Sequence, residues 1–163
     1  MLFRSALRPP ELDRLGLTRT IEHVVRLAAD AAGLRCSVNV EPVDGLLSPT
    51  AEIQLYRLVQ ECLNNVVKHA RAGFVEVRVW RNDQCLNAIV QDNGDGFDPT
   101  ELHANSKGPG GLGLAGMAER VRLLGGGITI RSQPDSGTVV EASLPINLEP
   151  AQNSNDRRNP NDS

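Results

Sequence analysis

Apolar residues recur at helical intervals in three stretches of the chain and alternate with polar ones in five shorter stretches. From Thr18 to Ala32, the residues Ile21, Val24, Val25, Ala28 and Ala32 form one apolar stripe, which predicts a helix capped by Thr18 or Thr20 and stopped by Gly33. Ser48-Pro49 is a helix start, a capping hydroxyl followed by proline. From there Leu55, Tyr56, Val59, Cys62, Leu63, Val66, Val67 and Ala70 keep helical spacing, with Arg57, Glu61, Asn64, Asn65 and Lys68 as an interleaved polar stripe. A third helix fits Leu112 to Leu124, with Leu114, Met117, Ala118, Val121 and Leu124 inward and three glycines at its end. Strands are predicted over 34–41, 74–80, 86–91, 128–132 and 138–144. Turns at Arg81–Gln84 and Pro134–Gly137 join two pairs of them.

The segments between these elements complete the organisation. Residues 1–17 are Pro-rich and short of periodicity, which predicts a linker or the remnant of an upstream element. Residues 98–110 are rich in Gly, Pro, Ser and Asn without apolar periodicity, the signature of a mobile flap. Residues 147–163 carry almost no apolar side chain and are predicted to be a disordered tail. No internal repeat is visible. The element order predicts an α+β fold: a two-layer sandwich in which helices cover one face of a mixed sheet.

Composition narrows the function. The chain has 163 residues and a formal charge of −3, which argues against a generally basic nucleic-acid binder. Aromatics at 3% are too few for base-stacking platforms. No window approaches the ~18 apolar residues of a membrane span, and the N-terminus lacks the apolar run of a secretory signal. Cys36, Cys62 and Cys85 are far apart and odd in number, which suggests neither a disulfide framework nor a structural zinc site. The expectation is a soluble protein of the reducing cytoplasm.

Three constellations hold candidate chemistry. Glu61, Asn65 and Lys68 stand at i, i+4 and i+7 on one helix face. A carboxylate, a neutral oxygen ligand and an ammonium in a row suit a hydrated Mg²⁺ beside phosphates; the plainer reading is a solvated helix face. His69 follows, near a helix C-terminus where its cation is favoured. Asp92-Asn93-Gly94-Asp95-Gly96 begins where an apolar strand ends, and spacing alone leaves it open between a site and a hairpin turn. It is not an EF-hand loop, because Gly94 holds the third position and no Glu the twelfth. Residues 111–116 match GxGxxG but do not follow the first strand of a βαβ unit, and no Gly-Lys-Ser/Thr follows for a P-loop. What remains is a set of glycine amides leading into a helix N-terminus, a site suited to anions. An ionised Asp92 is acceptor-only, so it suits the exocyclic amine of adenine and rejects the oxo group of guanine. Taken together the three point to ATP.

Tyr56-Arg-Leu-Val-Gln-Glu-Cys-Leu-Asn-Asn-Val-Val-Lys-His-Ala70 resembles the N box of histidine-kinase-type (GHKL) ATPase domains. Asp92-x-Gly94-x-Gly96-Phe97 resembles their adenine-binding box, Gly111–Gly126 their second glycine box, and Ser136-Gly-Thr138 their closing Gly-Thr turn. The QE-xx-N-xxx-HA and GLGLxGMxERV forms are similar to the nitrate-sensor/DegS-like subfamily, which phosphorylates response regulators with helix-turn-helix output domains. Leu7–Leu17 looks like the segment leading from their dimerisation hairpin into the ATPase domain.

The resemblance covers about residues 5–146 and implies the Bergerat fold, with a mostly antiparallel sheet. It divides the chain into a linker (1–17), an ATP-binding catalytic domain (18–146) and a tail (147–163). It implies ATP and Mg²⁺ as cofactors, with Asn65 the principal metal ligand and Glu61 assisting the metal or water. Lys68 and His69 would lie near the phosphates, and Glu61, Lys68 and His69 form the implied catalytic set. The cofactor-binding set is Asn65, Asp92, Gly94, Gly96, Gly111, Leu112, Gly113 and Thr138. Residues 98–110 would be the ATP lid.

The phosphoacceptor motif of these kinases, a helix with His followed by an acidic residue, is absent from the sequence. His23, His69 and His103 do not replace it. The reading is therefore a kinase domain acting on a His of a separate or missing dimerisation domain, with a response regulator as the next partner, no direct nucleic-acid contact and no autophosphorylation alone. The alternatives are a stand-alone serine kinase similar to anti-sigma factors, or a non-catalytic nucleotide-binding interaction module.

Overall fold

The computed structural model describes residues 8–100 and 111–147. Among these, helix α1 (Pro10–Ala32) precedes strand β1 (Arg35–Val40), and helix α2 (Pro49–Asn65) runs into a π-helical turn at Val66–Ala70. Strands β2 (Phe74–Arg81) and β3 (Cys85–Asp92) follow, then helix α3 (Gly111–Leu123) and strands β4 (Gly127–Ser132) and β5 (Thr138–Pro145). The sheet order is β1-β2-β3-β5-β4. β1 pairs with β2 in parallel and every other pair is antiparallel, so the sheet is mixed and mostly antiparallel.

Strand alternation turns one set of side chains inward. Val75, Val77 and Val79 of β2 and Leu86, Ala88 and Val90 of β3 are buried. α1 packs on β1 and α2, α2 on α3, and α3 on β4. Ile21, Val25, Val59 and Val121 join the inward strand residues in one core. This is the expected α+β sandwich, and each fully buried Val adds about 1.5–3 kcal/mol over an exposed one.

The first helix departs from expectation. It begins at Pro10, not Thr18, and is interrupted at Gly16 (φ 76°, ψ 171°). The lone glycine supplies a backbone that other residues rarely adopt, and the Asp44 carboxylate fills the space a Cβ would take. Asp44, rather than Thr18 or Thr20 themselves, caps the second run, accepting from Thr18 N at 3.0 Å and Thr18 Oγ1 at 2.8 Å. The Thr20 hydroxyl donates to Glu11 O instead. Leu12 and Leu17, in the segment assigned from sequence to a linker, are both buried in the core. Arg8 adds an ion pair to Glu52 at 2.7 Å. Gly33 ends α1 in the left-handed conformation, and Ser48 Oγ caps α2 by accepting from Ala51 N at 3.2 Å.

The second helix was expected to stay regular to Ala70, but its last turn, Val66–Ala70, is π-helical. The extra residue per turn changes which side chains share a face beyond Asn65. The lid expected at 98–110 falls mostly at 101–110, and the expected disordered tail at 148–163; both ranges lie outside the described residues. Asn147, the first residue of that tail, donates its N–H to Leu46 O.

Candidate nucleotide site

A cleft opens at one end of the inner sheet face, between the end of α2 and the start of α3, with about 600 Å³ of space counted out to solvent. Asn65, His69, Asp92, Gly96 and Thr138 all line it. These are five of the eleven residues singled out from sequence, brought together from three stretches of the chain. Cys62, Val66, Val90, Leu114, Phe97 and Val140 supply its apolar surface. Sequence reasoning placed most of these apolar residues inward but had no means of separating cleft lining from core.

The floor is built around Asp92. The residue is 7% exposed, and its Oδ1 accepts from Gly94 N at 2.8 Å. Burial pushes its carboxyl above the usual carboxylate range, while N–H donation from Gly94 and Thr138 pulls the other way. Burial also pushes the Cys62 thiol up to about 12.

The loop after Asp92 is clamped from both sides. On the α2 side, Asp95 N donates to Ala70 O at 2.6 Å and Arg71 Nε pairs with Asp95 Oδ2 at 2.6 Å. Asn93 Oδ1 accepts from Gly73 N and Phe74 N, each at 2.9 Å. On the β4–β5 side, Asp135 N donates to Asp95 O at 2.6 Å and Phe97 N to Ser132 Oγ at 2.9 Å. Glycine is required at two points. A Cβ on Gly94 would meet the Ala70 Cβ at 2.6 Å and its carbonyl closer still, and Gly96 (φ +61°) lies against Gln133 O. Gly94 therefore serves the close approach of two backbones and does not line the cleft.

The other candidates fall elsewhere. Glu61 is half-buried, and its carboxyl occupies the space a Cβ on Gly113 would need, at the start of α3. That position suits a carboxylate electrostatically. Lys68 is exposed and does not line the cleft. Gly111 and Leu112 begin α3. Sequence reasoning missed Ser132, which is 8% exposed and bonded to the Phe97 amide and the Thr138 hydroxyl. The signal was present: Ser132 and Thr138 flank a five-residue turn between two predicted strands, so hairpin pairing sets them opposite one another. Among the described residues no three His, Cys, Asp or Glu side chains gather as a metal cluster.

Known proteins resemble the chain in sequence and in fold. The chain matches the family model described as histidine kinase-, DNA gyrase B-, and HSP90-like ATPase over residues 50–148. It is 38% identical over 143 residues to the signal transduction histidine-protein kinase/phosphatase DegS of Brevibacillus brevis, covering 88% of this chain and 36% of that protein. It is 35% identical over 140 residues to the oxygen sensor histidine kinase NreB of Staphylococcus carnosus, covering 86% of this chain and 39% of that one. The chain thus spans little more than a third of the length of these curated relatives. Among solved structures, the mycobacterial sensor histidine kinase MprB superposes with a TM-score of 0.62 at 26% identity, covering 80% of this chain and 94% of that one. With a match across most of its length and the same fold, the chain belongs to the family of histidine kinase-, DNA gyrase B- and HSP90-like ATPases.

Proposed function

We propose that the chain is the ATP-binding catalytic domain of a two-component sensor histidine kinase, working in the cytoplasm. It would transfer the γ-phosphoryl of ATP to a histidine of a dimerisation domain outside these 163 residues, for relay to a response regulator with helix-turn-helix output. The observation that carries the reading is the buried Asp92 carboxylate beside Thr138 on the floor of the cleft, with Asn65 and His69 on its wall. The relatives described above are histidine kinases, and the anti-sigma-like serine kinase has no counterpart among them.

In this reading Asp92 accepts from the adenine amine while the apolar lining covers the base. Gly94 and Gly96 let the loop approach closely, and Thr138 supports the adenine end. Gly111, Leu112 and Gly113 hold phosphates at the start of α3, and Lys68 and His69 lie near them. The donor set fits Mg²⁺, which needs few protein oxygens when phosphates supply others. Asn65 would be its principal ligand and Glu61 would assist. Bound there, the ion would neutralise phosphate charge, the main requirement of phosphoryl transfer along with positioning.

The test is calorimetry of ATP, ADP and GTP with and without Mg²⁺, on wild type and Asn65→Ala. Adenine-selective binding that Mg²⁺ strengthens only in wild type is expected. Equal affinity for ATP and GTP would remove Asp92 from its role. An Asn65→Ala chain that melts earlier but keeps Mg·ATP affinity would return Asn65 to the helix surface.

A further inference from the structure

Ser132 lies behind the wall of the cleft, and its hydroxyl decides what that wall offers. Asp92, Thr138 and Ser132 stand opposite one another on β3, β5 and β4, in one row across the sheet. Ser132 Oγ has three polar neighbours: Phe97 N at 2.9 Å, Gly137 O at 3.0 Å and Thr138 Oγ1 at 2.8 Å. A hydroxyl has one proton and two lone pairs. The Phe97 amide can only donate, and the Gly137 carbonyl can only accept. The Ser132 proton therefore goes to Gly137, and one lone pair goes to Phe97. Were that proton turned to Thr138 instead, the buried Gly137 carbonyl would lose its bond from Ser132, an arrangement native structures avoid. The second lone pair of Ser132 is left for Thr138, whose hydroxyl must donate to it. Thr138 Oγ1 then has no proton for the cleft it lines and presents lone pairs only.

We propose that Ser132 is a positioning residue that fixes the Thr138 hydroxyl as an acceptor, so that the cleft sets two acceptors, Asp92 and Thr138, before the donor edge of the base. The inference rests on the nucleotide reading above and adds a determinant of base selectivity that does not touch the ligand. Loss of the Phe97 bond weakens all ligands alike, whereas reversal of the Thr138 hydroxyl changes only the preference between donor and acceptor bases.

The experiment measures affinities of the 163-residue chain for ADP and for 6-methoxypurine riboside 5′-diphosphate, in which an oxygen acceptor replaces the amine and the ring nitrogens stay unprotonated. The preference for ADP should fall about tenfold in Ser132→Ala, the scale of one hydrogen bond. Ser132→Thr, which keeps the hydroxyl, should restore it. In a Thr138→Val background Ser132→Ala should change the preference no further, because its effect passes through the missing hydroxyl. If Ser132→Ala lacks a cooperative melt, Ser132→Cys takes its place with the same ratio read. Equal weakening of both ligands, or an undiminished effect in the Thr138→Val background, would overturn the inference while leaving ADP binding by wild type intact. Wild type binding neither ligand would overturn the nucleotide reading and this inference with it.

Discussion

Two opposing influences meet on the Asp92 carboxyl, and burial outweighs donation from the Gly94 and Thr138 amides. The acceptor role proposed for it requires the ionised form, which a raised pKa places at higher pH than for an ordinary aspartate. For folding the sign is unfavourable: the cost of ionising this buried group is absent at low pH and grows as pH rises through the unfolded and then the folded pKa. For binding the sign reverses. ADP affinity should fall on acidification from a pH above the usual carboxylate range, and Asp92→Asn should lose about 1–3 kcal/mol at neutral pH together with that dependence. Calorimetry over a pH series checks both, and an affinity flat down to the ordinary aspartate range would count against them. Cys62, with its thiol pushed up to about 12, should resist alkylation at pH 8 in the folded chain, while the half-buried Cys36 and Cys85 react first. Mass spectrometry after timed labelling reads this. Asn65 and Asp92 were legible in the residue pattern because polar groups on or at the end of apolar elements stand out, whereas His69 and Thr138 were singled out as site residues only through the resemblance to histidine-kinase-type ATPase domains. For Ser132 only the pairing with Thr138 was legible, because its importance lies in a proton count that needs three partners in place.

Among the elements, those with a clear period were recognisable and those that break it were not. The five strands lie within a residue or so of their predicted bounds because alternation marks them directly. The π-helical turn at Val66–Ala70 has no composition of its own, and the break at Gly16 depends on Asp44, far along the chain. Two glycines of similar appearance should therefore behave oppositely. Gly94→Ala drives a methyl into the Ala70 backbone and should cost about 1–3 kcal/mol in urea unfolding. Gly116→Ala, inside α3 with no atom of the described residues outside its own helix backbone within 4 Å of an added Cβ, should add about 0.5–1 kcal/mol. A Gly94→Ala chain as stable as wild type would show that α2 and the Asp92 loop are not clamped.

For the molecule as a whole, the proposed chemistry is divided between chains or domains. The isolated chain should bind ATP yet carry no stoichiometric acid-labile phosphate, and a dimerisation hairpin from a related sensor kinase, added in trans, should become labelled in its place. Transfer needs the acceptor about 3 Å from the γ-phosphate and in line. His23 is exposed on α1 and does not line the cleft. Label on the isolated chain lost in His23→Ala would place the acceptor within it. The row of Asp92, Thr138 and Ser132 has one more consequence. Residues 133–136 form an exposed turn, the kind of place where insertions are ordinarily harmless. Side chains alternate along a strand, so a single-step displacement of β4 against β5 would turn Ser132 away from Thr138 and also take Ile128 and Ile130 off the core, whereas a two-residue step keeps the inward face inward and still parts Ser132 from Thr138. A chain shifted by two residues should keep its fold and lose the proposed discrimination among bases. Length variation in this turn, unlike that in a typical surface loop, would then be a route by which related proteins change ligand preference without altering any residue that touches the ligand.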